Sequence, residues 1–163
     1  MQYYIAKVVS GGFSAVVERV VEALKAEGFG VLTDIDVKAT MKKKLDIDFR
    51  DYRILGACNP PLAHQALTAD DKIGTMLPCN VIVQDLGGGR IEVAAIDPAI
   101  SMEHVGNPAL KAIAESVTGK LGRVIAAIWN DPYERSGLRH HHPPGQVPVS
   151  GRFRTRPCDH HGG

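Results

Sequence analysis

Five short runs rich in β-branched and aromatic residues constrain this chain most: 3–9 (YYIAKVV), 29–35 (FGVLTDI), 52–57 (YRILGA), 79–84 (CNVIVQ) and 91–96 (IEVAAI). Their length and composition suit strands, and glycine, proline or aspartate bounds each of them. The intervening segments follow another rhythm. From Ser14 the apolar residues Val16, Val17, Val20, Val21 and Leu24 return at helical spacing, with Glu18, Arg19, Glu22 and Lys25 between them. A chain that changes period in this way predicts an α+β fold: a two-layer sandwich with a mixed or mostly antiparallel sheet covered by helices. The order strand, helix, strand at the N-terminus places the first helix across the sheet.

Punctuation between the runs sets the boundaries. Ser10, Gly11 and Gly12 end the first strand, Ser14 is the expected cap of the first helix, and Gly28 stops it. Asp36 is placed to cap a short helix over 37–45. The third strand runs straight into Cys58-Asn59-Pro60-Pro61, where Asn59 can cap a helix and Pro60 suits its first turn. Pro78 can open the strand that begins at Cys79 but cannot lie in its middle. Gly87, Gly88 and Gly89 then predict a β-hairpin with antiparallel arms. Residues 97–106 read as a loop or short helical turn. Asn107-Pro108 repeats the cap-then-proline signal for a long last helix whose core face is Leu110, Ile113, Val117, Leu121, Val124, Ile125 and Ile128. Gly119 and Gly122 weaken that helix by about 1 kcal/mol each relative to alanine, which packing must offset.

With 163 residues the chain has room for one domain, expected over residues 1–129. Residues 130–163 turn abruptly to Pro, Gly, His and Arg without either period, and are expected to form a disordered tail. A net charge of +1 supplies no field to collect nucleic acid. The only basic run before the tail, Lys42 to Lys44, points three ways on a helix. No stretch approaches the roughly 18 consecutive apolar residues of a membrane span, so neither nucleic acid nor membrane is an expected partner. An odd set of thiols, Cys58, Cys79 and Cys158, argues for free cysteines in a reducing, cytoplasmic setting.

The candidate chemistry lies at Cys58, Asn59, His64, Cys79 and Asn80. Cys58 directly precedes a helix start, where unpaired amides favour a thiolate. Cys79 opens the following strand, and the two ends can converge. Three functional readings follow: a redox pair, a nucleophile with its resolving thiol, or two soft ligands joined by His64 on a metal. Against them stands the base tendency of free cysteine to be a small buried hydrophobe. No zinc-ligand spacing is met, since His64 lies six residues after Cys58 and there is no CxxC. Asp34, Asp36, Asp46, Asp48 and Asp51 lack a calcium-loop pattern and read as caps and turns. His140 to His142 with Cys158, His160 and His161 can bind metal adventitiously. No cofactor is expected.

The segments GACNPPLAHQAL (56–67) and LPCNVIV (77–83) resemble the bacterial domain-of-unknown-function family numbered 302. The opening YYIAKVVSGGFSAVVERV, the segment GFGVLTDIDVKATMKKKL and the later DPAISMEHVGNP fit the same pattern, over nearly all of residues 2–129. The resemblance implies a compact two-layer α+β homodimer and brings no activity or substrate; its motif marks Cys58, Asn59, Pro60, His64, Pro78, Cys79 and Asn80. The leading expectation is a cytoplasmic homodimeric binding or accessory protein that engages a small thiol-reactive ligand or a metal near Cys58, His64 and Cys79. One alternative is a thiol-dependent redox or sulfur-transfer enzyme in which Cys58 attacks and Cys79 resolves. Another is a structural or interaction domain without chemistry.

Overall fold

A computed structural model of the protein describes residues 1–130. The expected tail falls, from residue 131 onward, outside the described residues. Five strands form one sheet: β1 (Tyr4–Ser10), β2 (Gly30–Asp36), β3 (Tyr52–Cys58), β4 (Cys79–Gly87) and β5 (Arg90–Ile96). Their spatial order is β1-β5-β4-β3-β2, and every neighbouring pair is antiparallel. The fold is α+β, as the change of period predicts.

Alternation along the strands gives the sheet two unlike faces. Val9, Leu55, Ala57, Cys79, Val81, Val83, Ile91, Val93 and Ala95 point to one face and are buried there. Two helices cover this face: α1 (Phe13–Ala26) and α5 (Pro108–Ala127). β1 and β2 lie at opposite edges of the sheet, so α1 must cross it between them. Val16, Val20 and Leu24 of α1 and Leu121 and Val124 of α5 are fully buried against the strands. Each such side chain contributes about 1.5–3 kcal/mol of transfer free energy, as an upper bound. α5 buries Leu110, Ala114, Val117, Leu121, Val124 and Ile125, close to the expected face; Ile113 is only half-buried, and Ile128 is buried just beyond the helix end.

The caps follow the sequence with one exception. Asp36 accepts from the Ala39 amide at 2.9 Å and starts α2 (Val37–Leu45), and Asn107 does the same for α5 through Ala109 at 3.0 Å. Ser14, however, does not cap α1: the cap is Gly12, in extended backbone, and the Val16 amide reaches its carbonyl at 3.0 Å. The Gly11-Gly12 pair turns the chain tightly enough for Phe13 to begin the helix, which puts Ser14 inside the first turn. The acidic cluster is also used structurally. Lys42 bridges Asp46 and Asp48, Lys38 pairs with Asp51, and Arg53 donates two N–H groups to Asp34.

Two contacts fix the ends of the helical layer. Lys7, the one polar interruption of β1, points toward the helices and donates to the carbonyls of Ile128 at 2.6 Å and Ala126 at 3.2 Å. It thereby satisfies acceptors that the last turn of α5 leaves free. Arg123 of α5 forms a two-pronged pair with Glu27 just past α1, at 3.0 and 3.2 Å, and this pair holds the Glu27 carboxyl below its ordinary pKa.

β2 carries a bulge between Val31 and Thr33, beyond which Thr33 lies over Gly56 of β3. A methyl group at Gly56 would sit 2.1 Å from Thr33 Oγ1 and 2.7 Å from Pro78 Cγ. This close approach, two residues before Cys58, sets how β2, β3 and the start of β4 meet. Gly56→Ala is expected to destabilise the protein by about 1–3 kcal/mol through overpacking against a proline ring that cannot rotate away. Thermal unfolding checks this; an unchanged midpoint would mean that the strands separate freely here.

Candidate functional site

β3 ends at Cys58, and the next residue, Asn59, caps α3 (Pro60–Ala69). In the neighbouring strand Cys79 pairs with Ala57. The two cysteines therefore sit on adjacent strands, one position apart in register, at the end of the sheet that faces α3. Strand spacings put their Cα atoms about 6 Å apart, inside the range a disulfide can span. Regular alternation would send the two side chains to opposite faces. Both residues nevertheless line one cavity, which lies where β3 ends and α3 begins. Both thiols are free.

The cavity has a volume of about 40 Å³ and lies between α3, α5 and a short helix, α4 (Pro98–Ser101). Phe29, Leu62, Ala66, Leu110 and Val117 form much of its wall, and Met102 adds a thioether. It occupies the seam between the main core and a smaller cluster of Ala66, Ile73 and Leu110. Asn59 is the single amide side chain on its border. Its Oδ1 accepts from the Leu62 amide at 3.4 Å and its Nδ2 donates to the Glu27 carbonyl at 3.4 Å, so it ties the start of α3 to the end of α1. Asn59 thus fixes the start of α3 directly after Cys58.

The two thiols differ in environment. Cys58 is half-buried, while Cys79 is 7% exposed. Burial, with a further contribution from the neighbouring Cys58, pushes the Cys79 pKa up from 9.0 to about 11. Cys79 is therefore a neutral thiol throughout the physiological range.

The remaining candidates lie elsewhere. His64 is exposed on α3 and does not border the cavity; its carbonyl accepts from Thr68 Oγ1 at 2.7 Å. Asn80 follows Cys79 in β4 and so faces the other side of the sheet, in an open groove of about 390 Å³ with Tyr3, Tyr4, Tyr52 and Gln84. Among the described residues no three His, Cys, Asp or Glu side chains gather where they could hold a metal. Sequence reasoning did not single out Met102, Leu110 or Phe29 for this site. They arrive from elements distant in the chain, and only the match of DPAISMEHVGNP to a family pattern touched that region.

The Cys79 shift has a stability consequence with a definite sign. A folded pKa raised from 9.0 to about 11 leaves stability intact below pH 9 and removes it as pH climbs through 11, by about 3 kcal/mol in all. Urea unfolding at several pH values should show this loss in the native protein and its absence in Cys79→Val. Parallel profiles for the two would mean that Cys79 is not desolvated.

A protein-family model, Domain of unknown function DUF302, matches residues 5–128. Among solved structures the chain is similar to an uncharacterized conserved protein DUF302 from Bacillus stearothermophilus. The two share 30% sequence identity at a TM-score of 0.73, over 78% of this chain and 99% of that one. No curated protein matches the sequence.

Proposed function

This chain belongs to the DUF302 family, and on that footing we propose that it is a cytoplasmic homodimeric binding or accessory protein whose working site is the thiol-bordered cavity. The observation that carries the reading is the pairing of one accessible and one buried thiol on the wall of a small apolar cavity beside a helix start. In this reading Cys58 meets a small thiol-reactive ligand or a metal, and Cys79 forms the inner wall. No described helix is long and apolar enough to cross a membrane.

The redox alternative, with Cys58 attacking and Cys79 resolving, asks Cys79 to become a thiolate at neutral pH. Desolvation opposes that step. The binding reading makes no such demand on the free protein.

The uncovered face of the sheet supports the dimer. Tyr4, Val8 and Ile35 are 39%, 47% and 47% exposed there, flanked by half-buried Ile54, Ile82 and Ile96. Five strands about 4.8 Å apart and about 24 Å long present on the order of 600 Å² per subunit, the lower end of what a specific interface needs. Three polar side chains on this face pair among themselves: Arg50 donates to Gln84 at 2.8 Å, and Gln84 donates to Glu92 at 2.8 Å. A second copy is the occupant that such a neutral, half-apolar face fits.

Two experiments test these readings. Peptide-resolved alkylation at pH 8 should modify Cys58 at least about 10-fold faster than Cys79, of which only about one molecule in a thousand is then thiolate. If both thiols react only after denaturation, the cavity is sealed and the site reading fails. Sedimentation should give a dimer for the native chain and a monomer for Val8→Asp, and a native monomer would refute the assembly.

A further inference from the structure

We propose that the cavity is a site for a soft monovalent d10 metal ion, Cu(I), held by the Cys58 and Cys79 sulfurs with the Met102 thioether as third donor. The inference rests on the reading of this cavity as the working site and names its ligand. Three sulfur-containing residues line one small space, and they come from the end of β3, the start of β4 and the residue just after α4. No carboxylate or imidazole borders it, and the one amide, Asn59, is engaged with Leu62 and Glu27.

That donor set selects among metals. Calcium and magnesium require oxygen ligands, which are missing. Structural zinc takes four N, S or O donors in a tetrahedron, and His64, the nearest imidazole in sequence, is exposed and outside the cavity. Thiolate and thioether sulfurs favour Cu(I), which accepts two or three of them. Size points the same way. A volume of about 40 Å³ accommodates an ion, whereas an organic molecule of more than a few atoms would have to lift α3. The apolar lining also disfavours water, which would otherwise compete for Cu(I).

The chemistry balances without an oxidant. Two Cu–S bonds form, two S–H bonds break, and two protons leave to solvent, while copper remains Cu(I) and the thioether donates a lone pair. The resulting complex carries one negative charge. It lies at the N-terminus of α3, since Cys58 immediately precedes the cap, and there the helix dipole favours an anion; Pro60 and Pro61 carry no N–H and the Leu62 amide is taken up by Asn59, so the dipole acts without a direct amide contact. The metal also resolves the burial of Cys79, because a coordinated thiol loses its proton to the ion.

The test is an anaerobic titration of Cu(I) against a chromophoric chelator, using the full chain with Cys158→Ser and with His140, His141, His142, His160 and His161 each changed to Ala, so that the metal-binding side chains beyond residue 130 do not compete. One equivalent of Cu(I) should transfer to the protein. Cys58→Ser should weaken binding at least about 100-fold, beyond the loss caused by removing a mere supporting group. Met102→Leu, which keeps the volume, should weaken it about 10-fold. Between pH 6 and 8 the affinity should rise with pH, after correction for the chelator, because binding displaces thiol protons. X-ray absorption at the copper edge should show a sulfur-only shell, a readout independent of whether any variant folds. Nitrogen donors in that shell, or an affinity unchanged in Cys58→Ser, would overturn the assignment. If copper stays with the chelator while Cys58 still alkylates rapidly, the metal is removed and the cavity reading survives. If copper stays and both thiols are inert, both fall.

Discussion

The structure depends on burying one face of the sheet beneath α1 and α5. β1, β3, β4 and β5 place their fully buried apolar residues toward that layer, where the fully buried Val16, Val20, Leu24, Leu121 and Val124 meet them. The requirement dictates topology as well as stability. β1 and β2 occupy opposite edges, so α1 has to span the sheet, and α5 must return over the strands it left. Lys7 and the Arg123–Glu27 pair then fasten the ends of this layer with contacts that reach across the chain.

Where that layer stops, the candidate site begins. α3 starts directly from β3 and buries only Ala66, and a cavity of about 40 Å³ is left beneath it. The close approach of Thr33 and Pro78 over Gly56 holds β2, β3 and β4 together just before Cys58. Asn59 joins the start of α3 to the end of α1 through two long hydrogen bonds. A rigid sheet end and a lightly anchored helix together leave an apolar seam with sulfur on its wall. An interior packed like an organic crystal closes such seams unless the neighbouring elements cannot approach further.

The opposite face of the sheet follows from the same constraint. α1 and α5 cover one side, and on the other Asn80 lies with three tyrosines around a groove. Asn80 and Cys79 are adjacent in sequence and separated by the thickness of the sheet. Reading them as one site ignores the two-residue period of a strand.

Most of the architecture was legible because it is written in local chemistry. Period changes marked strands and helices, Asp36, Asn59 and Asn107 announced helix starts through side chains that accept backbone N–H bonds, and the glycines at 87–89 announced the hairpin. The missed cap at Gly12 shows the limit even here, since a glycine offers no side-chain signal. By itself the sequence determined the elements, their order, the buried stripe of α5 and the family. Only the tertiary structure decided that Cys58 and Cys79 share a wall, that Met102 joins them, and that His64 and Asn80 do not. The reason is physical: strand pairing and helix crossing bring together residues tens of positions apart, and the direction of each side chain there depends on where one element ends and the next begins.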